Sequence, residues 1–302
     1  VIRASTALAV ALAFTCIGRL AGTAAGQDPA RSTPVLVRPG DIVAANIADH
    51  TVTVYDGESG VFRGTAVEAR SGGLANPTGI AFGPDGALYV ASSGSASILR
   101  FDAEAGSFRD VVASGEPLTQ PFSLIFGPDG DLFVSDGPRV LRYAPDGSFV
   151  GVAAEDSTLV QPIGLAFGPS GLLYVANSTA QTVSRFDPAT GRRVDDFATD
   201  SLSYPSDVAF GPDGDLYVSS AAGSRVVRFD GSSGAFRAVV ATLPDGGVPM
   251  GLVFRAGRLV IGDFGKSRLF FLDALDGSAA PREVAREGLH GPENVAVRPG
   301  AG

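Results

Sequence analysis

A block of about 43 residues recurs along most of this 302-residue chain. Pro77-Thr-Gly-Ile-Ala-Phe-Gly-Pro-Asp-Gly86, followed by Leu88-Tyr89-Val90, returns from Pro121, from Pro162 and from Pro205. Two degenerate copies start at Pro249 and Pro292, and the six prolines stand 44, 41, 43, 44 and 43 residues apart. A period of this size accommodates four short strands and their turns, stacked as units that cannot bury their apolar faces alone.

Each unit reads as a blade. Residues 79–82 form a short apolar run suited to a strand buried on both faces. Gly83-Pro84-Asp85-Gly86 turns the chain, with proline presetting one angle and the closing glycine accepting a positive φ. Leu88-Tyr89-Val90 makes a second strand, residues 98–101 a third, and residues 108–112 an outer strand that carries Arg109 and Asp110 at an edge. Phe82, Phe126, Phe167, Phe210, Phe254 and Val297 recur at one position, which predicts core, with a cost of about 3–5 kcal/mol for each Phe→Ala. No helical pattern follows the first residues of the chain.

The ends decide between an open stack and a ring. Residues 41–44 match a second strand, 52–55 a third and 61–67 a fourth, and the missing first strand is supplied by residues 294–297. Five complete units and one shared between the ends make six, and pairing the termini removes the exposed sheet edges. The expected fold is all-β: a six-bladed β-propeller of four-stranded antiparallel blades over residues 41–302.

The unit P-x-G-[IL]-A-F-G-P-D-G-x-L-Y-V-[AS], followed by V-x-R-F-D, resembles the NHL-repeat propellers within the TolB-like superfamily. Broader relatives are the SMP-30/gluconolactonase and strictosidine-synthase group and the virginiamycin B lyase group, which usually builds seven blades. WD40 propellers are excluded, since there is no tryptophan.

Before the repeats, Arg3, an apolar run over residues 4–17 and the small residues 21–26 describe a secretory signal peptide over residues 1–26. Residues 27–40, with three prolines, read as a linker. The expected product is a secreted or periplasmic protein, acting as a monomer. Cleavage would remove Cys16, the only cysteine, which lacks the residues a lipobox requires before it. One cysteine excludes a disulfide framework, and two histidines exclude a three-histidine metal site. A net charge of -9 argues against nucleic acid or an anionic membrane as partner, and no apolar stretch is long enough to span a bilayer. The basic residues, nearly all arginine, read as single scattered positions, and the pairs Asp129/Asp131 and Asp213/Asp215 as solvated turn residues.

Chemistry is expected where first strands start and second strands end, because a strand and its hairpin return bring those points to one face near the channel. The starts are Thr78/Gly79, Phe122/Ser123, Ile163/Gly164, Ser206/Asp207, Met250/Gly251 and Glu293/Asn294. The ends are Asn46, Ser92, Asp136, Asn177, Ser220 and Asp263. Glycine fills the second start position in three blades, while Ser123, Asp207 and Asn294 replace it in the others. A polar residue in a repeated small position is where a grafted site would show.

Thr78, Ser123, Asp207 and Asn294 are therefore candidate ligand-binding residues. Asp207, Glu293, Asn294, Asp136, Asn177 and Asp263 are candidate ligands for Ca²⁺ or Mg²⁺. The bland alternative is that the residues ending second strands accept backbone hydrogen bonds in turns. His290 and Glu293 are the candidate acid–base pair, against a plain loop role for His290, and solvent exposure accounts for His50. Asn177-Ser178-Thr179 fits a glycosylation sequon. The resemblance implies a divalent ion held by Glu, Asn and Asp at the channel mouth in SMP-30-like hydrolases, and His and Glu beside a metal in virginiamycin-type lyases.

Two functional classes follow. One is an exported, non-catalytic propeller binding a protein, glycan or small molecule on the channel-mouth face. The other is a divalent-metal-dependent hydrolase, lactonase-like, or a lyase with its site at that mouth.

Overall fold

A computed structural model describes residues 35–300, so the expected signal peptide, Cys16 and residues 27–34 of the linker lie outside the described residues. Six four-stranded antiparallel sheets form the blades. Their inner strands are Pro292–Val297 in blade 1, Pro77–Phe82 in blade 2, Pro121–Phe126 in blade 3, Pro162–Phe167 in blade 4, Pro205–Phe210 in blade 5 and Pro249–Arg255 in blade 6. Short 3₁₀ turns, such as Ser93–Ser95 and Phe264–Lys266, are the helical elements among the described residues.

Blade 1 closes the ring as expected. Strand Ile42–Asn46 pairs antiparallel with Pro292–Val297, with Ile42 opposite Val297 and Ala45 opposite Asn294. The Gly40 N–H donates to the Arg298 carbonyl at 2.8 Å, and the Arg298 N–H donates back to Asp41 at 2.9 Å. Burial runs continuously round the circle: one apolar cluster joins Val43 and Val54 of blade 1 to Ile80 and Val90 of blade 2. Another joins Val260 and Phe271 of blade 6 to Ile42 and Val295 of blade 1. Each buried aliphatic side chain contributes about 1.5–3 kcal/mol.

The recurrent phenylalanines differ from expectation. Phe82, Phe126, Phe167, Phe210 and Phe254 are half-buried, because each lies at a seam and leans edge-on against a ring of the preceding blade or packs beside its cluster. The Tyr89–Phe126, Phe133–Phe167, Tyr174–Phe210 and Tyr217–Phe254 centroids are 4.9–5.0 Å apart and close to perpendicular, the arrangement that the ring quadrupoles favour. Only part of each side chain leaves water on folding, so the expected cost of truncation falls to the lower end of the range.

The arginines are also not scattered. In blades 2, 3 and 5 one third-strand arginine lies opposite a second-strand aromatic residue: Tyr89↔Arg100, Phe133↔Arg142 and Tyr217↔Arg228. There it reaches the Gly-Pro-Asp-Gly turn. Arg142 meets Asp129 and Asp131 at 2.6 Å each, and Arg228 meets Asp213 at 2.8 Å and Asp215 at 2.6 Å. The aspartate pairs expected to be solvated are thus ion-paired, with the guanidinium stacked over a ring at 5.4 Å for Arg142–Phe133 and 5.8 Å for Arg228–Tyr217.

Candidate functional site at the channel mouth

At the start of each inner strand the ladder slips. The register with the second strand shifts between Pro77 and Ile80, Pro121 and Leu124, Pro162 and Leu165, Pro205 and Asp207, and Pro249 and Leu252. A bulge of this kind re-aims side chains, and here it turns the residues after each proline toward the channel. Thr78, Phe122, Ser123, Ile163, Gly164, Ser206, Met250, Glu293 and Asn294 line one small cavity. The volume open to the centre of a water is only about 10 Å³, room for about one water.

The alternation of glycine with polar residues has a steric cause. A Cβ on Gly79 would run into the Phe122 carbonyl and the Ser123 backbone. One on Gly164 would overlap Asp207 Cα, and one on Gly251 would lie 2.9 Å from Asn294 Cα. Glycines in blades 2, 4 and 6 therefore admit the backbones of blades 3, 5 and 1, where Ser123, Asp207 and Asn294 stand. The pattern that suggested a grafted site is in part a packing rule.

The sequence places the polar second-strand ends on this face correctly, but they do not converge on the channel. Each turns outward to hold the loop that leads into its own blade. Asp136 Oδ1 accepts the Thr119 N–H at 2.8 Å and the Gln120 N–H at 2.5 Å, and its Oδ2 accepts the Thr119 hydroxyl at 3.0 Å. Asn177 accepts the Val160 N–H at 3.2 Å and donates to the Thr158 carbonyl at 2.7 Å. Asp263 accepts the Val248 N–H at 2.8 Å and pairs with Arg268, both buried, at 2.7 Å. Asn46, Ser92 and Ser220 make equivalent bonds to Gly288, Ala75 and Ser203. The turn role thus accounts for Asp136, Asn177 and Asp263, and Asn177, 1% exposed, is not accessible as a glycosylation acceptor.

Asp207 and Glu293 are buried at the mouth. Asp207 Oδ1 accepts the Val208 N–H at 2.9 Å and Oδ2 the Leu252 N–H of blade 6 at 2.7 Å. Burial nevertheless pushes its carboxyl up to about 7, since loss of water disfavours the charged form. Glu293 is pushed up to about 8 by burial alone, and its Oε1 has no hydrogen-bond partner. Tyr204, which the sequence did not single out, lies in the field of that carboxylate. Burial raises its hydroxyl, a bond with Gln161 opposes this, and the Glu293 charge adds to the rise. Its backbone sits at φ 57°, costly for a bulky residue and a feature of functional loops.

The histidines do not join this group. His290 is 57% exposed and its Nε2 lies 3.7 Å from Asp49, while its backbone N–H donates to Asn46 at 2.9 Å. The contact it makes is with Asp49 and not with Glu293. His50 is no bystander: its Nδ1 accepts the Asn76 N–H at 2.9 Å and ties blade 1 to the loop entering blade 2.

A divalent ion of the kind the resemblance implies does not fit these residues. Mg²⁺ and Ca²⁺ require six or more oxygens, whereas both Asp207 oxygens are engaged by backbone N–H groups and Glu293 is the one carboxylate lining the cavity. Among the described residues, no group of three His, Cys, Asp or Glu side chains could hold a metal ion.

The fold and the mouth define a six-bladed propeller with one buried, open carboxylate at the end of its channel. The virginiamycin B lyase family matches residues 65–260, and the chain belongs to that family. A comparison with curated proteins finds no match. Among solved structures, a chain of the nidogen/laminin complex is similar at 18% identity, covering 86% of this chain and 99% of that one with a TM-score of 0.69. A gluconolactonase from Xanthomonas campestris is similar at 18% identity, covering 86% and 90%, with a TM-score of 0.61. A catalytically inactive histidine-to-alanine virginiamycin B lyase from Staphylococcus aureus with quinupristin is similar at 15% identity, covering 85% and 88%, also with a TM-score of 0.61. At these identities the structural likenesses show the fold alone.

Proposed function

We propose that this chain is an exported member of the virginiamycin B lyase family that acts on a small ligand at the channel-mouth face, by acid–base chemistry at Glu293. The observation that carries the reading is the buried Glu293 Oε1 without a hydrogen-bond partner, at the cavity where the inner strands begin. A carboxyl near 8 exchanges its proton close to neutral pH. In a lyase step the carboxylate would take a proton from carbon, the electron pair would form a double bond, and the leaving group would depart. Family membership supports this class of reaction.

Binding of a protein, glycan or small molecule without turnover is the second reading. The size of the cavity favours it, since only about one water fits at the mouth and a substrate would have to rest on the surface above. Incubation of the purified protein with a streptogramin B antibiotic, and separately with gluconolactone, followed by mass spectrometry, distinguishes the readings. A ring-opened product of unchanged mass that Glu293→Gln abolishes supports the lyase. A product that has gained one water indicates a hydrolase. A shift in melting with no product indicates binding alone, and neither product nor shift rejects both ligand classes.

A further inference from the structure

We propose that the channel mouth of this chain holds no divalent cation. Asp207, one of the candidate ligands, instead pins blade 5 to blade 6, and Glu293 faces a single neutral oxygen, from water or from a ligand hydroxyl or carbonyl. The part concerning Glu293 rests on the reading of the mouth as the working site. The part concerning the cation does not.

Several of the oxygens around the mouth, though not Glu293 Oε1, already have protein partners. Asp207 accepts backbone N–H groups on both carboxyl oxygens, one from its own strand and one from the next blade. Its own N–H donates to Ser219 Oγ at 2.7 Å, and that hydroxyl in turn donates to the Met250 carbonyl at 3.2 Å. Thr78 Oγ1 donates to the Pro121 carbonyl and Ser206 Oγ to the Pro249 carbonyl, each at 2.9 Å. In blade 3, Ser135 Oγ donates to the Ile163 carbonyl at 2.8 Å. The Thr78, Ser206 and Ser135 hydroxyls thus bond blade to blade, which leaves Ser123, Asn294 and Glu293 as the other polar residues that line the cavity.

Space gives the same answer. Phe122, Ile163 and Met250 close three of the six positions around the ring with apolar groups. Mg²⁺ sheds its waters reluctantly and usually retains several, so a hydrated ion does not fit where about one water does. A bare ion would gain only one carboxylate in exchange for its hydration.

The test is elemental analysis of the purified protein prepared without chelator, together with its melting in EDTA and in millimolar MgCl₂ or CaCl₂. Metal well below one ion per chain and an unchanged melting temperature are expected. Asp207→Ala leaves the Leu252 N–H unpaired and should lower melting by at least about 2–4 °C, equally with and without the added ions. One ion per chain that is lost in Glu293→Gln or in Asp207→Ala overturns the proposal. An ion retained by both variants lies off the mouth and upholds it. If Asp207→Ala does not fold, Glu293→Gln decides by the same readout. Loss of streptogramin turnover in Glu293→Gln concerns the functional reading and leaves the metal result unaffected.

Discussion

The two faces of the ring use the same residue types differently. On the face of the Gly-Pro-Asp-Gly turns, aspartate recurs at one position, and in blades 2, 3 and 5 it meets an arginine from the third strand of its own blade. On the channel-mouth face, the side chains that end the second strands hold incoming loops, and three residue types share the task, each in two blades: Asn46 and Asn177, Ser92 and Ser220, Asp136 and Asp263. The turn face repeats one side-chain contact, so its sequence is regular. The mouth face repeats a backbone requirement that any small acceptor meets, so its sequence is free to vary without implying a site. Only Glu293 departs from both patterns, being buried and open together.

The most severe way to break this comparison is to remove residues 292–302. That removes the inner strand of blade 1 and one wall of the seam between blades 6 and 1. The truncated chain should fail to fold or melt far below the parent in a thermal scan, and equal melting would refute the closed ring. Next in size is Gly164→Ala, whose new methyl group meets the Asp207 backbone. A loss of about 3 kcal/mol is expected from denaturant unfolding, whereas a neutral result would mean that the alternation is not steric.

Single side chains sharpen the contrast between the faces. Asp136→Ala removes a fully buried carboxyl that accepts two loop N–H groups and should cost about 2 kcal/mol. Arg100→Ala on the turn face removes exposed pairs with Asp85 and Asp110 and should cost about 0.5 kcal/mol. A reversed order would mean that the turn-face network supports the ring.

The last effect is a slope with pH, spread thinly over several units. Glu293 is raised from 4.5 to about 8 on folding, and Asp207 from 3.8 to about 7, so between those limits the folded chain binds more protons than the unfolded one. The stability tied to these protons is fully present below about pH 4 and declines as pH rises through about 7–8. Glu293→Gln should flatten part of that decline in melting curves from pH 5 to 9. An unchanged slope would mean that Glu293 is charged in the folded chain.

The fold was legible because period and turn chemistry agree: each proline starts an inner strand, and residues 41–67 lack only the strand that 292–297 supplies. The mouth was legible as a place, since strand polarity alone puts Thr78, Asp207 and Glu293 on one face. The roles were not. Whether Asp136 meets an ion or the Thr119 N–H depends on the path of a loop that no repeat specifies. The arginine ladder, by contrast, could have been read. The third strand repeats an arginine one residue before its aromatic residue, opposite Tyr89, Phe133, Tyr174 and Tyr217, and in blades 2, 3 and 5 that register leads to the turn aspartates, while Arg185 of blade 4, whose turn carries Ser170, pairs with Asp195 of the outer strand.

Because glycine faces a bulkier neighbour at the seams between blades 2 and 3, 4 and 5, and 6 and 1, the blades pack as three couples and not as six equals. An odd insertion would set glycine against glycine, leaving a void, or side chain against side chain, forcing the circle apart.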